Sequence, residues 1–130
     1  MMKYKAVILV VEDEPIIRFN AVELLNLEGF EALGARNADE AISILEARSD
    51  IHLVFTDVEM PGTMDGIKLT HYIRSRWPEV HLFVASGKTR VNEKDLPEGS
   101  KFFPKPYNDN GIIQEMKRVL GAGEATATVR

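Results

Sequence analysis

Leu53-Val54-Phe55-Thr56-Asp57-Val58-Glu59-Met60-Pro61-Gly62 is the stretch that decides the fold. An apolar run ends in a single carboxylate, and a Met-Pro-Gly turn follows almost at once. Short apolar and β-branched runs bounded by turn formers read as buried strands, which predicts a strand over Ile51 to Thr56. Asp57 then stands at the strand's C-terminal end, where open parallel α/β sheets keep their ligand crevice. A lone aspartate there also reads as a plain turn starter. Its meaning depends on what other segments deliver to the same edge.

Upstream, Ala6 to Val11 is a continuous apolar run, the pattern of a central parallel strand covered on both faces, and it stops at Glu12-Asp13-Glu14-Pro15. Proline and acids suit a first helical turn, and Ile17, Ala21, Leu24, Leu25 and Glu28 recur at helical steps until Gly29. Phe30 to Ala35 is a short strand. Asn37 or Asp39 caps a helix with the stripe Ala38, Ala41, Ile42 and Leu45. Downstream, Ile67, Leu69, Tyr72, Ile73 and Trp77 line a helix that Pro78 terminates. Val80 to Ala85 is a fourth strand before Ser86-Gly87, and Lys101-Phe102-Phe103 a fifth before Pro104-Lys105-Pro106. Ile112, Ile113, Met116, Val119 and Leu120 mark a last helix, closed by Gly121-Ala122-Gly123. Five strands alternating with helices predict right-handed βα units, hence one three-layer α/β domain over residues 1–121 with a doubly wound parallel sheet. Residues 122–130 lack periodicity and are expected to form a disordered tail.

Composition narrows the function classes. The 130 residues suit one core, and 45% hydrophobic content is ordinary for a globular chain. The absence of cysteine excludes disulfides and any Cys-based zinc site or nucleophile. A net charge of -4 and a pI near 5.4 argue against a general nucleic-acid surface. No apolar run approaches the roughly 20 residues that span a bilayer, and no cleavage site follows the first apolar run. The expectation is a cytoplasmic protein without nucleic-acid or membrane partners.

In a parallel sheet every strand's C-terminal end points the same way. Strand one delivers Glu12 and Asp13, strand three Asp57, strand four Ser86, and the end of strand five Lys105. Three carboxylates within a few ångströms repel one another by about 4 kcal/mol per pair even at an effective dielectric near 20, so a cation or a proton must join them. All-oxygen ligation favours Mg²⁺, or Mn²⁺, completed by water and phosphate oxygens. A carboxylate can accept a phosphoryl group as an aspartyl phosphate, provided the equatorial oxygens meet positive charge and hydrogen-bond donors. Lys105 and Ser86 are residues of that kind.

These segments resemble the receiver domain of two-component response regulators, from Ala6 to about Leu120. The matching residues are Val10-Val11-Glu12-Asp13-Glu14, Asp57 with Met60-Pro61 and Asp65-Gly66, Ala85-Ser86-Gly87, and Lys105-Pro106-Tyr107. The resemblance implies a flavodoxin-like fold with strand order 2-1-3-4-5. It also implies that Asp57 takes a phosphoryl group from a histidine kinase or phosphotransfer protein. Glu12, Asp13, Asp57 and the Glu59 backbone carbonyl then hold Mg²⁺, while Ser86 and Lys105 contact the phosphoryl group. The family commonly has a cis bond at the position of Lys105-Pro106. Ser86 and the aromatic position Phe102 form its switch, with Phe102 in place of the more usual Tyr. Signalling then passes by contact to a downstream protein, with no turnover of an external substrate.

Several positions depart from the family pattern. The Asp57 to Gly66 loop is lengthened through Gly62-Thr63, and since that loop borders the metal, Thr63 or Met64 is expected to alter access to the site. The Ser86 to Lys105 interval is short and Asn92 to Gly99 is a poor helix, so the helix before strand five is expected to be short or irregular. Glu59 and Lys88 each lie two residues beyond an active-site residue, and the expectation is that they pair across the mouth and hinder attacking water.

Other readings are weaker. A phosphohistidine carrier needs an exposed histidine on a helical bundle, whereas His52 and His81 lie in strand patterns. A flavodoxin proper needs a phosphate loop after strand one, where Glu12-Asp13-Glu14 repels phosphate. A haloacid-dehalogenase-like phosphatase needs a second acid two residues after its nucleophile, whereas Asp13 is followed by Glu14-Pro15. The chain reads as a stand-alone regulator, a phosphate sink or shuttle, or a receiver excised from a hybrid histidine kinase; the initiating Met favours a whole protein.

Overall fold

The computed structural model describes residues 5–62, 64–87 and 91–121; Thr63, Lys88 and the expected tail lie outside them. The order is β1 (Val7–Val11), α1 (Pro15–Leu27), β2 (Glu31–Ala35), α2 (Ala38–Ala47), β3 (Leu53–Asp57), α3 (Gly66–Arg76), β4 (His81–Ser86), a 3₁₀ turn (Glu93–Asp95), β5 (Lys101–Pro104) and α4 (Asp109–Leu120). The strands form one parallel sheet in the order β2-β1-β3-β4-β5. The expected flavodoxin-like architecture is the one observed.

Period-two alternation divides the core between two faces. Val7, Leu9 and Val11 pack with Ala38, Ala41, Leu45, Leu69 and Ile73 under α2 and α3. Ile8 and Val10 pack with Leu25, Ile112, Ile113 and Met116 under α1 and α4. Every residue of β1 is buried, which is why its sequence is an unbroken apolar run. Three helices start at side-chain caps: Asn37 accepts from Glu40 N, Asp65 from Lys68 N and Asn108 from Gly111 N. Each cap satisfies an amide that the helix itself leaves unpaired, at a typical value of about 1 kcal/mol.

The helix expected to be short between β4 and β5 is reduced, among the described residues, to the single 3₁₀ turn. Its place on the sheet is taken by Leu96 and Val91, which pack with Val58, Val84, Ile67 and Phe102. Pro97 disfavours helix at Leu96, and Gly99 takes a φ of 88° in a turn that the Ser100 amide closes on the Pro97 carbonyl at 3.1 Å. Two residues on α3 fasten it: His71 Nε2 lies 2.6 Å from the Asp95 carbonyl, and Arg74 Nη2 lies 3.4 Å from that of Glu98. Arg74 also donates to the carbonyls of Pro78 and Val80.

The sequence pattern places Ile17 on the inner stripe of α1, but the side chain is 48% exposed at the rim of a cleft between α1 and α4. The outward side of the helix is apolar too: Ile16 is 71% and Phe19 64% exposed. His52 makes a structural contact, its Nδ1 accepting from Val7 N at 3.0 Å.

Candidate functional site

The ends of β1, β3 and β5 meet as expected. Glu12, Asp13 and Asp57 each place a carboxylate oxygen within 4.8 Å of the others. Glu12 and Asp57 are only 8% and 7% exposed. Glu12 is fixed twice, its amide bonded to the Ala35 carbonyl and its Oε2 accepting from Glu14 N at 3.0 Å. Lys105 Nζ approaches Asp57 Oδ1 to 3.1 Å across a cis Lys105-Pro106 bond. That contact is an ion pair on a buried carboxylate oxygen.

Electrostatics follow from this crowding. Burial pushes the Asp57 carboxyl above the usual range; Lys105 pulls it back, and the charges of Glu59 and Asp13 push it up again. Glu12 is also raised, first by burial and then by Asp57, against the opposing Glu14 amide. Burial tends to lower the Lys105 ammonium, but the contact with Asp57 and the charges of Asp57 and Glu12 leave it raised. Three acids facing one another, two of them buried, suit a hard divalent cation.

The raised acids make a pH prediction. A carboxyl with a folded pKa above its unfolded value binds more protons when folded, so stability falls as pH rises from the unfolded carboxylate range, about 4, through the raised folded value. In chelator at pH 7, Asp57→Asn is therefore expected to unfold at higher denaturant than the parent. The gap should close as pH falls, and a denaturant series between pH 4 and 7 checks it. A parent that is the more stable at pH 7 would contradict the assignment of repulsion.

Ser86 lies buried at the end of β4, but its hydroxyl is engaged with Glu59: Oγ donates to Oε2 at 2.5 Å. The expected partner of Glu59, Lys88, lies outside the described residues, so that pairing is not described. Phe102 packs beside Val84 and Val58, adjacent to the sheet end that carries Asp57.

Arg18 escaped the sequence reading, and Gly66 and Gly87 entered it only as matching residues, without their packing roles. Arg18 Nη1 donates to the Glu12 carbonyl at 2.8 Å and approaches that of Asp13 at 3.5 Å, bracing the turn that aims both acids. Its stem crosses β2 where Gly34 has no side chain; a Cβ there meets Arg18 Cγ at 3.0 Å. A glycine inside a strand, with an arginine one turn into the preceding helix, was the available signal. Gly87 likewise lies under the Lys105 stem, where a Cβ meets Lys105 Cβ at 3.1 Å. Gly66 is tighter still, since a Cβ there falls 2.1 Å from the Asp57 carbonyl oxygen.

A doubly wound sheet with an acidic triad and a lysine at its C-terminal edge defines a class, and sequence comparison agrees with it. Residues 8–117 match the response regulator receiver domain. The chain belongs to that family. It is 32% identical over 117 residues to the nitrogen assimilation regulatory protein NtrX of Azorhizobium caulinodans, an alignment covering 87% of this chain and 26% of NtrX. The chain thus spans about a quarter of that relative's length. The receiver domain of the hybrid histidine kinase CckA superimposes with a TM-score of 0.74 at 32% identity, covering 87% of this chain and 97% of that one. The response regulator TrrA of Thermotoga maritima, solved with Mg²⁺ and BeF, gives a TM-score of 0.74 at 26% identity, with 87% and 97% covered. No helix among the described residues is long and apolar enough to cross a membrane.

Proposed function

We propose that the chain is a phosphoacceptor: Asp57 takes a phosphoryl group from a phosphohistidine, and the protein then signals by contact or hands the group on. The observation that carries this reading is the meeting of Glu12, Asp13 and Asp57 within 4.8 Å beside Lys105. A carboxylate oxygen of Asp57 attacks phosphorus, the N–P bond to the donor imidazole breaks, and that nitrogen regains a proton from solvent. Lys105, already 3.1 Å from Asp57, meets the charge spreading over the transferred oxygens. Glu12, Asp13 and Asp57 would hold Mg²⁺ or Mn²⁺ with the Glu59 backbone carbonyl, and the bound ion would neutralise phosphoryl charge. TrrA, a relative of similar fold, was solved with Mg²⁺ and BeF, which supports the same chemistry here.

The donor is a histidine kinase or phosphotransfer protein. The exposed apolar side chains Ile16 and Phe19 begin three residues beyond Asp13 and offer it a dry contact beside the acceptor. We read Ser86 and Phe102 as the switch that reports phosphorylation, and we assign no external substrate to the chain. A second reading, a receiver segment of a hybrid kinase, is favoured by the likeness to the CckA receiver.

The test is treatment with acetyl phosphate and Mg²⁺, followed by mapping of the adduct by mass spectrometry. One phosphoryl group on Asp57, lost in Asp57→Ala and in chelator, is the expected result. An adduct elsewhere, or one that survives Asp57→Ala, overturns the proposal.

A further inference from the structure

The loop leaving β3 turns Glu59 across the sheet end toward β4. Ser86 Oγ donates to Glu59 Oε2 at 2.5 Å, and the Gly87 amide approaches Oε1 at 3.4 Å. Two donors from adjacent residues thus hold the two oxygens of one carboxylate. Ser86 is buried, so its hydroxyl cannot fall back on bulk water. A hydroxyl has one proton and serves one strong acceptor at a time. While that proton points at Glu59, it is withheld from any other anion at the site. A carboxylate and a phosphoryl group present similar oxygen acceptors to such a pair.

We infer that Glu59 is an internal occupant of the place a phosphoryl oxygen takes on Ser86 and Gly87, so that loading of Asp57 exchanges one anion for another. The inference rests on the phosphoacceptor reading above. It gives Glu59 a different part from shielding the phosphate against water: the carboxylate acts before transfer, by holding the donors. Ser86 is released only when an anion on Asp57 competes for its proton. The intrinsic affinity of the site for a phosphoryl-like anion is therefore held below what its donors allow.

The probe is beryllium fluoride with Mg²⁺, titrated calorimetrically. Release of one charge-assisted hydrogen bond predicts that Glu59→Ala binds it about tenfold tighter than the parent. In a Ser86→Ala background the same substitution should gain less than about threefold, because the hydroxyl to be released is gone. Equal gains in both backgrounds mean that Glu59 acts through its charge alone, which overturns the exchange. A second measurement needs no phosphate analogue: a double-mutant cycle of Glu59→Ala and Ser86→Ala on unfolding in chelator. Coupling is expected, and strict additivity removes the contact. Failure of the phosphoacceptor reading looks different, since no variant then binds beryllium fluoride although the unfolding cycle still couples; the exchange falls with it.

Discussion

Gly66→Ala is expected to lower stability by about 3 kcal/mol, at the upper end of what overpacking costs. For a domain of this size that corresponds to a fall in Tm of about 12 °C. The new Cβ falls 2.1 Å from the Asp57 carbonyl oxygen and 2.8 Å from Val58 Cα, both backbone atoms that cannot rotate away. The Gly66 amide is meanwhile bonded to the Val58 carbonyl at 3.0 Å, so the helix start and the strand end are locked together. Relief requires α3 to lift or Asp57 to move, and either one disturbs the acceptor. Phosphoryl incorporation should therefore drop even at a temperature where circular dichroism shows the variant folded. Thermal melts and acetyl phosphate labelling decide it together. An unchanged melting temperature would show that the helix start yields without cost.

Lys105→Met is expected to slow phosphoryl incorporation by about a hundredfold, the scale of losing one preorganised donor to a developing anion. Methionine keeps the stem that crosses Gly87 and deletes the charge 3.1 Å from Asp57. The acceptor carboxyl, already raised by burial, loses its main counterweight and rises further. Lys105→Arg should recover part of the rate, since the charge returns with a different head. Initial rates by intact mass, at saturating Mg²⁺, separate this from a change in metal binding. A Lys105→Met rate equal to the parent's would remove Lys105 from the reaction.

The parts of the fold that could be read from sequence are those set locally. The unbroken run of β1, the cap at Asn37 and the stop at Pro78 each depend on residues a few positions apart, and the strand order followed once resemblance joined them. The acidic triad was legible because a parallel sheet sends every strand end to one edge. Glu59 was legible as a neighbour of the site but not in its partner, since the path of the loop after β3 decides which of several donors its carboxylate meets. Arg18 was missed, and Gly66 was named without its contact, for a related reason. Their parts arise from contacts between backbone and side chain across elements, and periodicity carries no trace of those. Ile17 shows the limit of the helical pattern, which marks an apolar side without saying what covers it.

The segment before β5, with a 3₁₀ turn where a helix was expected, changes how that flank of the molecule holds together. A helix would carry its own ladder of backbone bonds, and its stiffness would belong to it. Here the covering strip is tied down by His71 and Arg74, which reach from α3 to the carbonyls of Asp95 and Glu98. Beyond the short turns it closes on itself, it is held by α3, the same helix whose first residue is pressed against Asp57. The acceptor and the strip beside Phe102 thus touch the same helix, one through Gly66 and the other through His71 and Arg74.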